Sequence, residues 1–378
     1  MSSDDAHPSP PRPVQRHLLR QAIWLAVLIA GVIVWLISFG GGGGAARAWR
    51  GLLISFIFFT PLSAGLVVWS AAVLLSNGRW IGRLERAALS GFSFAVPSLV
   101  VLALLWMGSG TWLPWSGKEL SQGVWLNRHF VFARDLGALI VLWALAAWYV
   151  RRRTSGDGRV AGGWLIVTYC LVMSLLGFDL VMALDPKWYS TLWGGYFFIS
   201  GLYAAVTVWT LLAIWSPGGT RDRMHDLAKL IVAFSILTAY LAYAHVLVQW
   251  YGNIPHETRF LVPRMNFEPW RSVSVAIVAA AYLGPLVLLL TIRAKRTRWF
   301  LAAVALLVLS AMWLERCWLV TPTVQWTAPP AMQPDQLRLA IGLAELGPLA
   351  ALGGVLALGI EVFTALVPPR IGQGAQDL

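Results

Sequence analysis

Apolar residues run along this chain in blocks of about twenty, separated by short polar stretches, and no shorter repeat competes with that pattern. A helix rises 1.5 Å per residue, so about 20 apolar residues are needed to cross roughly 30 Å of hydrocarbon. Windows of that length predict ten membrane-spanning helices, at about 21–39, 51–75, 88–107, 131–150, 162–184, 191–215, 227–250, 272–292, 299–320 and 338–366. Pro61, Pro97 and Pro285 are expected to bend their helices, as is Gly347-Pro348 or Gly353-Gly354 in the last and longest block. The expected fold class is therefore an all-α integral membrane protein of about ten transmembrane helices.

Composition agrees: 58% of residues are hydrophobic, 12% are charged and 22 are Trp, which no soluble domain matches. The net charge of +12 raises nucleic acid as a partner. The Lys and Arg residues fall in short clusters between the apolar blocks, where they act as topology signals and contacts for anionic membrane lipid, and nucleic acid is rejected. Ten spans put both termini on one side. The clusters Arg151-Arg152-Arg153 and Arg293 to Arg298 lie on that side, so a multi-pass protein of the bacterial inner (plasma) membrane with cytoplasmic termini is expected. The longer connections, 108–130, 251–271 and 321–337, then face the exterior, and the Pro-rich 251–271 segment is expected to dock an extracytoplasmic partner.

The expected organisation is a disordered cytoplasmic tail over 1–20, a polytopic transmembrane domain over 21–366 and a cytoplasmic C-terminal tail over 367–378. Arg16, Arg20 and the apolar run after them resemble a signal peptide, with Ala45-Ala46 as a cleavage site. A retained first helix is preferred, because cleavage would leave nine spans and disturb the charge-supported topology.

The candidate chemistry starts from what is missing. Of six His residues only His245 lies well inside a span, and Cys170 and Cys317 are each alone in a helix, so ligand count argues against intrinsic haem, iron–sulfur clusters and a Cys-based metal site. No phosphate-binding loop, nucleophile elbow or metalloprotease motif is present. Any redox centre must come from a partner.

The informative residues are ionisable groups in the membrane, each costing about 3 kcal/mol by insertion scales and so usually kept for pairing or function. Asp179 stands out, whereas Asp185, before Pro186 and Lys187, belongs to a turn at the membrane edge. Asp179, His245 and Glu315 each lie about 8 Å from the exterior end of a predicted span and Glu345 about 10 Å, while Arg134 and Asp135 occupy the first turns of theirs. If the helices face one another, these groups form one polar pocket in the outer third of the membrane. His245 and Gln249, at i and i+4, share a helix face. The plainer alternatives are a paired Asp179, a satisfied core histidine at 245, structural charge pairs at Arg134-Asp135 and Glu315-Arg316, and a Lys229 that reaches the cytoplasmic surface. The cytoplasmic half offers only Thr168, Tyr169, Ser174, Lys229 and Glu361, a thin set for a complete proton path.

FDLVMALDPKWYSTLWGGYFFISGLY, from Phe178 to Tyr203, followed by DLAKLIVAFSILTAYLAYAHVLVQWYGNIPHET, from Asp226 to Thr258, resembles the ActF family of membrane subunits of bacterial alternative complex III. That complex is a quinol:electron-acceptor oxidoreductase. ActF is similar to ActC and to the NrfD/PsrC family, so the resemblance implies two four-helix bundles, spans two to five and six to nine, with spans one and ten peripheral. It implies a subunit without cofactors of its own, lining a quinol-accessible pocket or a proton pathway near the periplasmic face. Its partners would be an ActC-like membrane paralogue, an iron–sulfur subunit and c-type cytochrome subunits carrying the clusters and haem c. On this reading Asp179 and His245 are proton acceptors, Gln249, Arg134 and Asp135 contact a quinol headgroup, Glu315 and Glu345 act as a relay, and no metal is bound. The rivals are a secondary transporter, which needs a midplane site, and a structural anchor.

Overall fold

Each apolar block becomes a helix. The structure, a computed structural model, describes residues 13–40, 44–78, 80–216, 218–327, 336–339 and 341–367. Its ten long helices are all apolar enough to cross a membrane, no strand occurs among the described residues, and the chain is an all-α, multi-pass membrane protein. In chain order they are α1 (Pro13–Ile37), α2 (Gly44–Leu75), α3 (Gly82–Trp112), α4 (Arg128–Ser155), α5 (Arg159–Leu180) and α6 (Trp193–Trp215). The rest are α7 (Arg221–Gly252), α8 (Trp270–Leu288), α9 (Arg298–Thr327) and α10 (Leu343–Leu366).

Local chemistry sets several ends. The Asn127 side chain accepts from the backbone N–H of His129 and Phe130 to start α4, and Thr220 accepts from Arg223 N–H to start α7. Asn253, in the left-handed region at φ 44°, closes α7.

Three expectations change. Residues 13–20, expected to be tail, are helical and belong to α1. The predicted 321–337 connection is shortened because α9 continues to Thr327; residues 328–335 lie outside the described residues, as do 1–12 and 368–378 of the expected tails. Helix α3 begins at Gly82 rather than near 88, which brings Glu85 into the protein.

The helices close into two rings. In the first, α2 packs on α3, α3 on α4, α4 on α5 and α5 on α2; in the second, α6 packs on α7, α7 on α8, α8 on α9 and α9 on α6. The rings meet through α2 with α6, α5 with α6 and α2 with α9, a pattern that maps onto itself when α2 exchanges with α6 and α5 with α9. It is a two-fold arrangement of parallel bundles. Helix α10 lies on α2 and on residues 90–94 of α3, and α1 packs chiefly on α10.

Small residues permit these approaches, as expected where lipid supplies no hydrophobic drive between helices. A Cβ added at Gly51 would stand 1.8 Å from the Ala344 carbonyl oxygen, and one at Gly201 would stand 2.6 Å from Pro61 Cβ. Prolines inside the helices strand a carbonyl four residues earlier. Pro322 leaves the Trp318 carbonyl free, and the Arg264 Nε–H donates to it at 3.0 Å. Pro285 frees the Ala281 carbonyl, which accepts from Tyr203 Oη at 2.6 Å. The residues before Pro285, Val278–Leu283, form a π-helical turn, so α8 is irregular at mid-length.

Candidate functional site

The irregular α8 creates space beside it. Helix α7 packs against the π-turn and the 284–288 segment, whereas residues 270–277 of α8 pack on α9 and on the short helix Val262–Met265. Between α7, α8 and α9 lies a cavity of about 320 Å³, in the half of the second bundle farther from the termini. Its walls are largely apolar, and the lipid side carries Tyr243, Val278 and Leu283, each close to half exposed or more. The inner wall is polar: His245, Tyr196, Tyr282 and Glu315 all line it.

Glu315 is completely buried. Tyr196 donates a short hydrogen bond to Glu315 Oε1, and the Tyr196 and Tyr282 hydroxyls are 3.1 Å apart. Arg316 Nη1 is 3.3 Å from Glu315 Oε2, without hydrogen-bond geometry, while Arg316 Nη2 donates to Ser200 Oγ at 2.6 Å. The guanidinium also lies 4.8 Å from the Phe197 ring centroid.

His245 sits against Trp188, Trp193 and Phe260, with centroids 5.5, 5.5 and 5.7 Å away. Its Nδ1 is 2.9 Å from Ser190 Oγ and its Nε2 is 2.9 Å from Gln249 Nε2. An amide nitrogen only donates, so in this arrangement the ring proton lies on Nδ1. Gln249 Oε1 is buried and has no hydrogen-bond partner. A half-turn of the amide would exchange a donor for an acceptor at His245 Nε2.

A cap closes the cavity at the end away from the termini. The 253–269 segment folds into two short helices, Pro255–Thr258 and Val262–Met265. Phe260 stacks on Trp188 at 4.3 Å, Trp188 Nε1–H donates to the Glu257 carbonyl at 3.0 Å, and Arg259 Nε lies 2.6 Å from Asp185 Oδ2. Asp185 therefore keeps its place in a turn and also holds the cap. Arg264 is the main pin. Complete burial pushes its guanidinium below its usual value, with Asp185 and Tyr196 acting the other way. Hydrogen bonds to the carbonyls of Phe260, Trp318 and Leu319 and to Thr323 Oγ1, and the Phe260 ring centroid 3.6 Å away, replace the lost water.

The expected single polar pocket is instead three separate places. Glu315 and His245 line the cavity; Gln249 supports His245 from behind and is not in the wall. Arg134, Asp135 and Asp179 form a triad in the first bundle. Arg134 donates to Asp179 Oδ2 from Nη2 at 2.5 Å and Nε at 3.1 Å, under Trp125 at 3.8 Å. Asp135 is fully buried beside Asp179, and neither of its carboxyl oxygens has a hydrogen-bond partner. The neighbours Arg134 and Asp135 are thus not each other's main partners. Glu345 stands apart, taking Arg47 Nε at 2.9 Å and Nη2 at 2.8 Å and capping α10 by accepting from Gly342 N–H at 2.8 Å. Sequence gives depth, but the direction a side chain faces depends on its helix's rotation within the bundle.

Several groups escaped sequence reading. Tyr196 and Tyr282 look like ordinary aromatic residues of apolar blocks, and only the three-residue step from Trp193 to Tyr196 hints at a shared face. Glu85 fell outside its predicted span. It is 1% exposed and takes Arg153 Nε at 2.6 Å, Arg153 Nη2 at 2.9 Å and Ser70 Oγ at 3.0 Å, with Tyr149 Oη 2.8 Å from Ser70. The terminus-side half therefore holds a buried carboxylate network beyond the sparse set expected. Lys229 pairs with Asp226 at 2.6 Å near that surface, and Glu361 lies 3.7 Å from Arg20.

Among the described residues no three His, Cys, Asp or Glu side chains are grouped to hold a metal ion. Compared with known proteins, the chain matches no family model and no curated sequence.

Proposed function

We propose that this chain is a membrane subunit of a quinol:electron-acceptor oxidoreductase of the alternative complex III type, and that the cavity of the second bundle receives a quinol headgroup. The observation that carries the reading is the cavity itself: apolar walls, a flank on the lipid side, and a carboxylate, two phenols and an imidazole at its inner end. An isoprenoid quinol is a small polar ring on a long apolar tail, and this distribution of surface matches it.

Oxidising a quinol to a quinone releases two electrons and two protons. Glu315 and His245 are the groups at the inner wall whose protonation can change, and Tyr196 and Tyr282 are placed to hydrogen-bond the ring oxygens. His245 takes a second proton once the Gln249 amide turns its oxygen toward Nε2. The electrons would pass to iron–sulfur clusters and c-type haems carried by extracytoplasmic partner subunits, beside an ActC-like paralogue, with this chain supplying the headgroup pocket and the proton acceptors. In that assembly the termini are cytoplasmic in a bacterial inner membrane, and the outer side of the 253–269 cap meets the partners. Asp179 and Asp135, paired with Arg134 away from the cavity, hold the first bundle together rather than touch quinol.

The transporter reading leans on inverted repeats around a midplane site. Here α2 and α6 run in the same direction and the cavity is off-centre.

The test fills the cavity. Ala242 lies in its wall, and Ala242→Trp in the assembled complex is expected to lower quinol:acceptor turnover at least tenfold and to remove quenching of the wall tryptophans by a quinone analogue. Wild-type turnover and quenching in that variant would sink the reading.

A further inference from the structure

We infer that Arg316 is a positioning residue for the cavity: it is the counter-charge that keeps Glu315 a carboxylate, yet it is tethered so that it does not occupy the oxygen a proton would take. The role rests on the quinol reading only for its effect on turnover.

The first observation is a contrast among the carboxylates that are buried in the long helices and paired with an arginine. Glu85 takes two nitrogens of Arg153 at 2.6 and 2.9 Å, Glu345 takes two of Arg47 at 2.9 and 2.8 Å, and Asp179 takes two of Arg134 at 3.1 and 2.5 Å. Such forks fix both partners in one geometry. Glu315 differs. Arg316 Nη1 stands 3.3 Å from its Oε2 without a hydrogen bond, and Oε2 has no other partner, while Oε1 accepts from Tyr196. Helix α6 holds the guanidinium back, because Nη2 donates to Ser200 Oγ at 2.6 Å and the Phe197 ring centroid lies 4.8 Å away. Oε2 therefore has a cation beside it and no donor on it.

The second observation fixes the charge. A guanidinium does not give up its proton in a protein, so a buried one needs a negative partner. Arg316 is 1% exposed, and its Nε and Nη1 have no hydrogen-bond partner. The neighbouring elements offer no other anion. Tyr196 of α6, Tyr282 of α8 and Tyr169 of α5 are phenols, and His245 of α7 is an imidazole, none of which is negative near neutral pH. Arg264 of the cap is a second cation, Glu345 of α10 is matched by Arg47, and α2 has no titratable side chain from Gly51 to Leu75. Glu315 is left as the counter-ion. At this separation inside the protein the attraction is strong enough to hold it ionised without a fork. A substrate in the cavity thus meets a carboxylate ready to accept a proton.

Infrared spectroscopy of the purified full chain, with no quinone added, reads the charge directly through the carbonyl stretch of a protonated carboxyl group, assigned to Glu315 by its loss in Glu315→Gln. At pH 7 the wild-type chain should lack that band, Arg316→Gln should show it, and Arg316→Lys, which restores the charge, should lack it again. In the assembled complex Arg316→Gln should lower kcat at least tenfold and leave KM for quinol unchanged. A Glu315 band in wild type at pH 7, no band in Arg316→Gln, a band that persists in Arg316→Lys, or wild-type turnover in Arg316→Gln would each overturn the proposal. If Arg316→Gln does not fold, the wild-type spectrum compared with that of Glu315→Gln still decides. The expected spectra together with wild-type turnover in Ala242→Trp would keep the charge assignment and sink the quinol reading alone.

Discussion

The two bundles share a topology and carry buried charge in the same half of the protein, but they treat that charge differently. In the first, Arg134 binds Asp179 at 2.5 Å and Asp135 lies beside the same carboxyl. In the second, Glu315, Tyr196 and Tyr282 form the wall of a cavity of about 320 Å³. The backbone of the fourth and eighth helices makes the difference. Helix α4 is regular from Arg128 to Ser155, while α8 passes through a π-turn before Pro285 and leaves room between its first half and α7. A buried carboxylate by itself therefore does not mark a ligand site. The space beside it does.

The comparison breaks first at Asp179. If the first bundle's charges serve structure, Asp179→Asn leaves the Arg134 guanidinium buried without its counter-charge and should cost about 3–5 kcal/mol, read as lowered thermal stability in detergent. The pair replacement Arg134→Met with Asp179→Leu should recover most of that loss. Full stability in Asp179→Asn, with quinone-analogue quenching abolished, would move the site to the first bundle.

Next in size is the cap on the second bundle. Arg264→Gln removes most of the hydrogen bonds that tie 253–269 to α9 and restores an unpaired carbonyl at Trp318, so about 2–3 kcal/mol should be lost. Limited proteolysis should then cut within 253–269 well before any membrane helix is attacked. Resistance equal to wild type would mean that the cap is held by other contacts.

A smaller effect is expected where the bundles meet. Gly201→Ala pushes a methyl against Pro61 and the Tyr169 hydroxyl, and about 1–3 kcal/mol of strain should follow. It should act on both bundles together, lowering one cooperative transition rather than splitting it. The smallest effect belongs to Lys229→Gln, which removes a half-exposed pair with Asp226 and should change stability by less than about 1 kcal/mol and turnover not at all.

How far the sequence carried these conclusions differs from residue to residue. The ten spans were legible because crossing a bilayer is a local requirement: about 20 apolar residues satisfy it wherever they sit in the chain. Asp179, His245 and Glu315 were legible as residues of interest because charge is costly at their depth. Their partners were not. Arg134 bonds Asp179 and not its neighbour Asp135, Glu345 turns to Arg47, and Gln249 serves His245, all through helix rotations and ring closure set by packing between distant segments. Glu85 was missed for a related reason, since only the contacts of α3 with the rest of the first bundle draw residues 82–87 inside.

Sequence alone thus determined the number of crossings, the class of fold and the depth of each ionisable group, because each depends on a residue's near neighbours along the chain. Tertiary structure alone decided which groups share a bundle, which are paired and which face open space. Those depend on the rotation of each helix about its axis and on the widened turn in α8, and both are fixed by side chains far apart in sequence.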